Sequence, residues 1–135
     1  MNLSSFTLKA GTEIVGALIK YVAENDIQAA SVLTCVGGMQ HVKLRMPGAT
    51  KTNQDIRDFD APFEIVSLVG TITKDSCHLH VSLSDPEGTV IGGHLKEGVV
   101  RQVAEVVIAD DQSVTYSREF DPSSGFRELV IKKRL

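Results

Sequence analysis

The sequence predicts an α+β fold: a mainly antiparallel β-sheet flanked by an N-terminal helix. Three observations carry this prediction. Only one segment, early in the chain, repeats its apolar residues at helical spacing. Most of the remaining chain consists of short runs rich in Val, Ile and Thr. The links between those runs are mostly of hairpin length, which suits antiparallel pairing.

Residues 6–8 alternate as a first strand. Over residues 12–25, Ile14, Leu18 and Val22 recur at i, i+4 and i+8, with Val15 and Ile19 filling the adjoining row, which is a wide apolar helical stripe. Gly11-Thr12 suits its entry, Glu13 favours the positive end of the helix dipole, and Asn25-Asp26 suits the exit. Strands are then expected at residues 29–36, 39–46, 63–73, 77–83, 89–95, 99–108, 114–120 and 129–131. Residues 47–61 form the one long irregular stretch and read as a mobile or functional surface loop. No repeat or linker divides the chain, so residues 1–135 are expected to form a single domain.

Composition excludes several classes. With 42% apolar and 23% charged residues, the chain is neither disordered nor of low complexity. A net charge of −3 opposes nonspecific duplex binding over the whole surface. Seven Phe and Tyr with no Trp leave little for stacking bases. No apolar run reaches the ~18–20 residues of a membrane span, so no membrane association is expected. The N-terminus lacks a signal-peptide pattern, and Cys35 and Cys77 lie apart inside apolar runs. Both are expected to be reduced and buried in a cytoplasmic protein.

Chemistry concentrates where three of the four histidines fall within seventeen residues, CHLHVSLSDPEGTVIGGHL. His78 and His80 are two apart and so share one face of a strand. Asp85-Pro86-Glu87-Gly88 fits a type I turn with a left-handed glycine, the three-residue hairpin loop with a bulge. Asp85 then faces Thr89, His80 faces His94, and His78 lies on the diagonal. A loop with an even number of residues would send His94 to the opposite face. Three imidazoles converging on one point suit a divalent ion such as zinc, with the fourth position open to water or a ligand. Gly92-Gly93 would allow a close approach beside His94. His41, in an ordinary half-exposed strand, reads as unrelated.

Two carboxylates, Glu64 and Glu105, interrupt apolar runs. Each is expected to face solvent, to hold a partner, or to stand beside the metal as an acceptor or proton shuttle. Ser67 and Ser82 lack the elbow motif of a serine nucleophile. Gly37-Gly38 and Gly92-Gly93 lack the spacing of a phosphate loop.

The runs FEIVSLVGTI, HLHVSLSDPEGTVIGGHL and VVRQVAEVVI, with the upstream AASVLTCVGGMQHVKL, resemble the plants-and-prokaryotes-conserved (PPC) domain over residues 6–131. The resemblance implies an α+β domain that assembles as a homotrimer. It also implies a metal site on His78, His80 and His94, which plant members generally lack, so the chain looks like the prokaryotic, single-domain type. DNA binding in this family is described largely by analogy, and its plant members use an Arg-Gly-Arg-Pro arm that is absent here. The one basic cluster, Lys132-Lys133-Arg134, reads as a solvated tail. Three functional readings are open: a trimeric metal-binding regulatory module with DNA as a possible partner, a small metal-dependent hydrolase or lyase, and a metabolite sensor whose 47–61 loop closes over the metal face.

Overall fold

The computed structural model describes residues 1–135. In chain order the elements are β1 (Asn2–Lys9), α1 (Ile14–Glu24), β2 (Ala30–Arg45), β3 (Ile56–Ile72), β4 (Cys77–Ser84), β5 (Val90–Asp110), β6 (Val114–Asp121) and β7 (Phe126–Lys133). The main sheet has the order β1-β5-β2-β3-β4, and β4 also pairs back onto β5. Strands β5, β2, β3 and β4 therefore close a ring, which hides most strand edges. Every pairing is antiparallel. The beginning of β5 pairs with β4, and its end pairs with β1.

Two expected pairs of strands prove to be single long ones. Residues 29–36 and 39–46 merge into β2, and residues 89–95 and 99–108 merge into β5. The cause is a series of register shifts between the two strands, at Val32/Thr34, Gly37/Gly38, Met39/His41 and Lys43/Leu44. A bulge bends a strand and upsets its alternation without ending it. Gln102, at φ 63, is the left-handed residue of one such irregularity. The expected 47–61 loop is also shorter than its composition suggests. Its second half belongs to β3, where Ile56 pairs with Arg45 and Asp60 with His41.

The helix buries Ile14, Leu18 and Val22 completely and packs on β5 and β3. Its cap is Glu13 rather than the expected Gly11-Thr12. The Glu13 carboxylate accepts from Val15 N at 3.0 Å and Gly16 N at 2.9 Å, and also from Gly98 N of β5 at 2.9 Å. One side chain thus satisfies helix-start donors and fastens that helix end to the sheet. The exit is as expected, with Asn25 as cap and Asp26 at φ 51. The Phe6 ring of β1 stacks on Tyr21 at 4.1 Å.

A single apolar cluster of 22 buried residues, drawn mainly from α1 and from β2, β3, β4 and β5, forms the core. Elsewhere on the sheet Leu33, Val36, Val66 and Val69 are more than half exposed. Strands β6 and β7 form a separate hairpin. It is tied to the body by Tyr116 N donating to Gln28 O and by Arg118 Nη2 donating to Thr71 Oγ1, both at 2.9 Å. Lys132 and Lys133 lie in β7 and not in a free tail, and Lys132 meets Glu119 at 3.9 Å. No helix is long and apolar enough to cross a membrane.

Candidate metal centre

The turn at residues 85–89 determines the site. Asp85 N donates to Thr89 O at 2.9 Å and Gly88 N donates to Asp85 O at 3.0 Å, with Gly88 in the left-handed region at φ +82. The Asp85 carboxylate also accepts from Glu87 N and Thr89 N. This loop places His80 directly opposite His94 across β4 and β5, the register expected from the turn residues. His78 stands two residues earlier on the same face.

The three imidazoles each offer one nitrogen, and these atoms all lie within 4.8 Å of one another. The Nε2 atoms of His78 and His80 are 3.2 Å apart. Tetrahedral zinc with Zn–N bonds of ~2.0–2.1 Å needs ligand nitrogens about 3.3–3.4 Å apart. The His78–His80 spacing therefore fits such an ion, and the donor set of three imidazoles suits it chemically.

The electrostatics favour neutral rings. Burial, helped by the neighbouring Arg45 guanidinium, pushes the His94 imidazole down to about 3. Burial also lowers His78, with the nearby His80 adding to it. A metal ligand must be unprotonated, so both shifts keep His78 and His94 ready for an ion at neutral pH.

Two hollows flank the imidazoles. One, of ≈ 460 Å³, lies between the 46–49 segment and the β4–β5 hairpin, beside His80 and His94. Pro47, Gly48 and Ala49 line it, so part of the 47–61 stretch does border this face. The other, of ≈ 250 Å³, lies between His78, His94 and the β6–β7 hairpin.

Glu64 and Glu105, the carboxylates considered as proton shuttles, are exposed and line neither hollow. Each sits on the solvent side of a strand whose neighbouring positions are buried, the ordinary alternation of a one-sided sheet. The carboxylate that does border the site is Glu128 of β7. His41 lies apart from the site, against Asp60 at 2.7 Å and Asp58 at 3.3 Å. Cys35 is buried and Cys77 half-buried, and both are free thiols.

Sequence reasoning missed Arg45 and Arg118. Arg45 ends β2 and pairs with His94, and its Nη2 lies 3.4 Å from His94 Nδ1. Arg118 reaches in from the separate hairpin and lines both the His78–His94 hollow and the cleft over His78 and His80. No local pattern announces either residue. Their arrival depends on pairing between distant segments.

A closed antiparallel ring, capped by one helix and carrying three converging imidazoles on one face, is a small α+β scaffold with a candidate metal centre. The chain belongs to the Plants and Prokaryotes Conserved (PCC) domain family, whose model matches residues 1–111. Two curated relatives, the bifunctional protein GlmU of Synechococcus sp. strains JA-3-3Ab and JA-2-3B'a(2-13), are each 32% identical over 127 and 133 residues, or 93% and 98% of this chain. The chain spans about a fifth of the length of these relatives, 20% in each case. Among solved structures, a hypothetical protein from Salmonella enterica matches with TM-score 0.91 and 33% identity, covering 99% of this chain and 95% of its own. A "metal-containing protein" from Archaeoglobus fulgidus matches with TM-score 0.81 and 26% identity, over 96% of this chain and 94% of that one. A "putative DNA binding protein" from Bacteroides thetaiotaomicron matches with TM-score 0.83 and 25% identity, over 96% and 92%.

Proposed function

We propose that this chain is a homotrimeric, single-domain metal-binding module in which His78, His80 and His94 hold one divalent ion, zinc by preference. The observation that carries the reading is the convergence of three imidazole nitrogens within 4.8 Å on one sheet face. Neutral imidazoles leave the ion its full charge, and three ligands leave a position for a further group. When bound, such an ion supplies Lewis acidity at that position. The relative from Archaeoglobus fulgidus that is named metal-containing supports the same reading.

Assembly is supported by the exposed Leu33, Val36, Val66 and Val69, because a monomer seldom leaves such side chains open together on its sheet. Two unpaired thiols support a reducing, cytoplasmic setting. The occurrence of a related segment as one fifth of a bifunctional protein supports use as a module beside other units.

DNA is the less favoured partner. It rests on the name of a relative, while the net charge of −3 works against phosphate binding over a broad surface. The hydrolase or lyase reading keeps the same metal but loses its two expected carboxylates, leaving Glu128 as the acid that lines the hollow beside the imidazoles.

Native mass spectrometry with elemental analysis, on protein purified without a histidine tag, tests the proposal. A trimer with about one zinc per chain, emptied in His80→Ala, is the expected result. A metal-free protein after incubation with zinc overturns the metal site, and a monomer at micromolar concentration overturns the assembly. A gel shift that persists at moderate salt would restore DNA as a ligand.

A further inference from the structure

The hollow between the imidazoles and the β6–β7 hairpin is lined by more positive than negative charge. Arg45, Lys96, Arg118 and Arg127 line it, against the single carboxylate of Glu128. None of the four is in an ion pair. The chain's ion pairs use Lys20, His41, Lys43, Arg57 and Lys132 instead. A protein of net charge −3 has thus gathered four cations and one carboxylate beside the imidazoles. A divalent ion on those rings would add two more charges at close range, and like charges this close repel strongly unless an anion enters.

The cations are also held in place. Arg45 lies over the Phe126 ring, 4.9 Å from its centroid. Arg118 donates to Thr71 Oγ1 at 2.9 Å, and Arg127 donates to the Arg118 carbonyl at 2.9 Å. Arg118 and Arg127, together with Phe126, come from the hairpin, which lies beyond residues 1–111 matched by the family model. The histidine face belongs to the family match, and two of the four cations beside it, Arg118 and Arg127, come from outside that match.

We propose that this hollow is a site for a small oxyanion, carboxylate or phosphate. One oxygen would take the open position at the metal, and the remaining charge would rest on Arg45 and Arg118. Its ≈ 250 Å³ is below the ~300–1,000 Å³ of drug-sized pockets, so the ligand is a small metabolite and not a polymer. Planar guanidinium groups recognise carboxylate and phosphate through paired hydrogen bonds, which a lone lysine does not. In this reading the β6–β7 hairpin sets ligand specificity. The proposal rests on the metal reading above.

The test uses the full chain loaded with cobalt, whose visible bands respond to a new ligand, titrated with succinate and separately with inorganic phosphate. Chloride at matched ionic strength serves as the control. At least one of the two oxyanions should shift the bands, and Arg45→Gln and Arg118→Gln should each weaken its binding tenfold or more at unchanged cobalt stoichiometry. The arm that responds decides between carboxylate and phosphate. A full cobalt complement with no response to either oxyanion overturns the anion site and leaves the metal reading standing. Equal affinity in parent and variants overturns it too, since the metal alone would then explain binding. Failure to take up cobalt at all overturns the metal reading itself, and the anion site falls with it.

Discussion

Arg45 and His94 stand directly opposite each other across β2 and β5, with the Arg45 guanidinium 3.4 Å from His94 Nδ1. The same row continues through His80 on β4 to Val69 on β3. An arginine that donates toward one ring nitrogen disfavours a proton there, and its charge repels a second proton on the ring. The ladder that positions the imidazole therefore also adds to the effect of burial in keeping it neutral.

Acid should weaken the metal-free protein through His94, which is held neutral first by burial and then by Arg45. Folding lowers the His94 pKa from 6.5 to about 3, so between those values the unfolded chain binds the extra proton and the native chain does not. The stability tied to His94 is complete above pH 6.5 and drains away as pH falls toward 3. Thermal melts of chelator-treated protein should show Tm falling across that window, and His94→Gln should flatten part of the fall. Identical slopes in parent and variant would show that His94 is not the group responsible.

Glu13 should matter beyond helix capping. Loss of a cap costs ~1 kcal/mol, and an unsatisfied Gly98 N–H adds ~1–3 kcal/mol. Glu13→Ala is expected to lose about 2–4 kcal/mol in denaturant unfolding, while Glu13→Gln, which keeps one acceptor oxygen, loses less. A loss under about 1 kcal/mol in Glu13→Ala would mean that the link to β5 contributes nothing.

Gly70 in the sheet and Gly88 in the turn should respond in opposite ways. At Gly70, with φ +146, an added Cβ would collide with the His78 carbonyl oxygen. Gly70→Ala is expected to break the β3–β4 pairing at His78, cost more than ~3 kcal/mol and abolish metal uptake. Gly88, at φ +82, has open space around it and needs only a left-handed backbone, so Gly88→Asn should cost under ~1 kcal/mol. Comparable Tm values for the two variants would contradict the backbone-contact argument.

Both thiols should be inert in the native state. Burial pushes Cys35 up to about 11 and raises Cys77 as well, so little thiolate exists at pH 8. Labelling with an aromatic disulfide should be slow in buffer and rapid for two equivalents in denaturant. Fast native labelling of Cys35 would refute its burial.

Local signals are legible in this sequence, and long-range ones are largely hidden. The turn at residues 85–89 pins the His80–His94 register because loop length and turn chemistry are contiguous in sequence. The stripe of Ile14, Leu18 and Val22 is equally legible, since helical spacing needs no partner. Strands β2 and β5 each read as two because their bulges break the alternation that marks a strand. Arg45 is invisible because its place opposite His94 depends on a register that shifts just beside it, between Lys43 and Leu44. Arg118 is invisible because a separate hairpin delivers it. Glu13 is recognisable as favourable at a helix start, but its bond to Gly98 spans the fold.

The pairing of Asn2 with Asp110 joins residues more than a hundred positions apart. During synthesis, β1 emerges first and its only sheet partner emerges late. Strand β2 likewise waits for β5, because β5 supplies one of its two neighbours. The segment from β1 to β3 therefore leaves the ribosome with strand edges open, and closure of the ring must await synthesis of β5. Distant pairings of this kind slow folding and prolong the exposure of sticky edges. A truncation within β5 should therefore aggregate instead of yielding a smaller folded core.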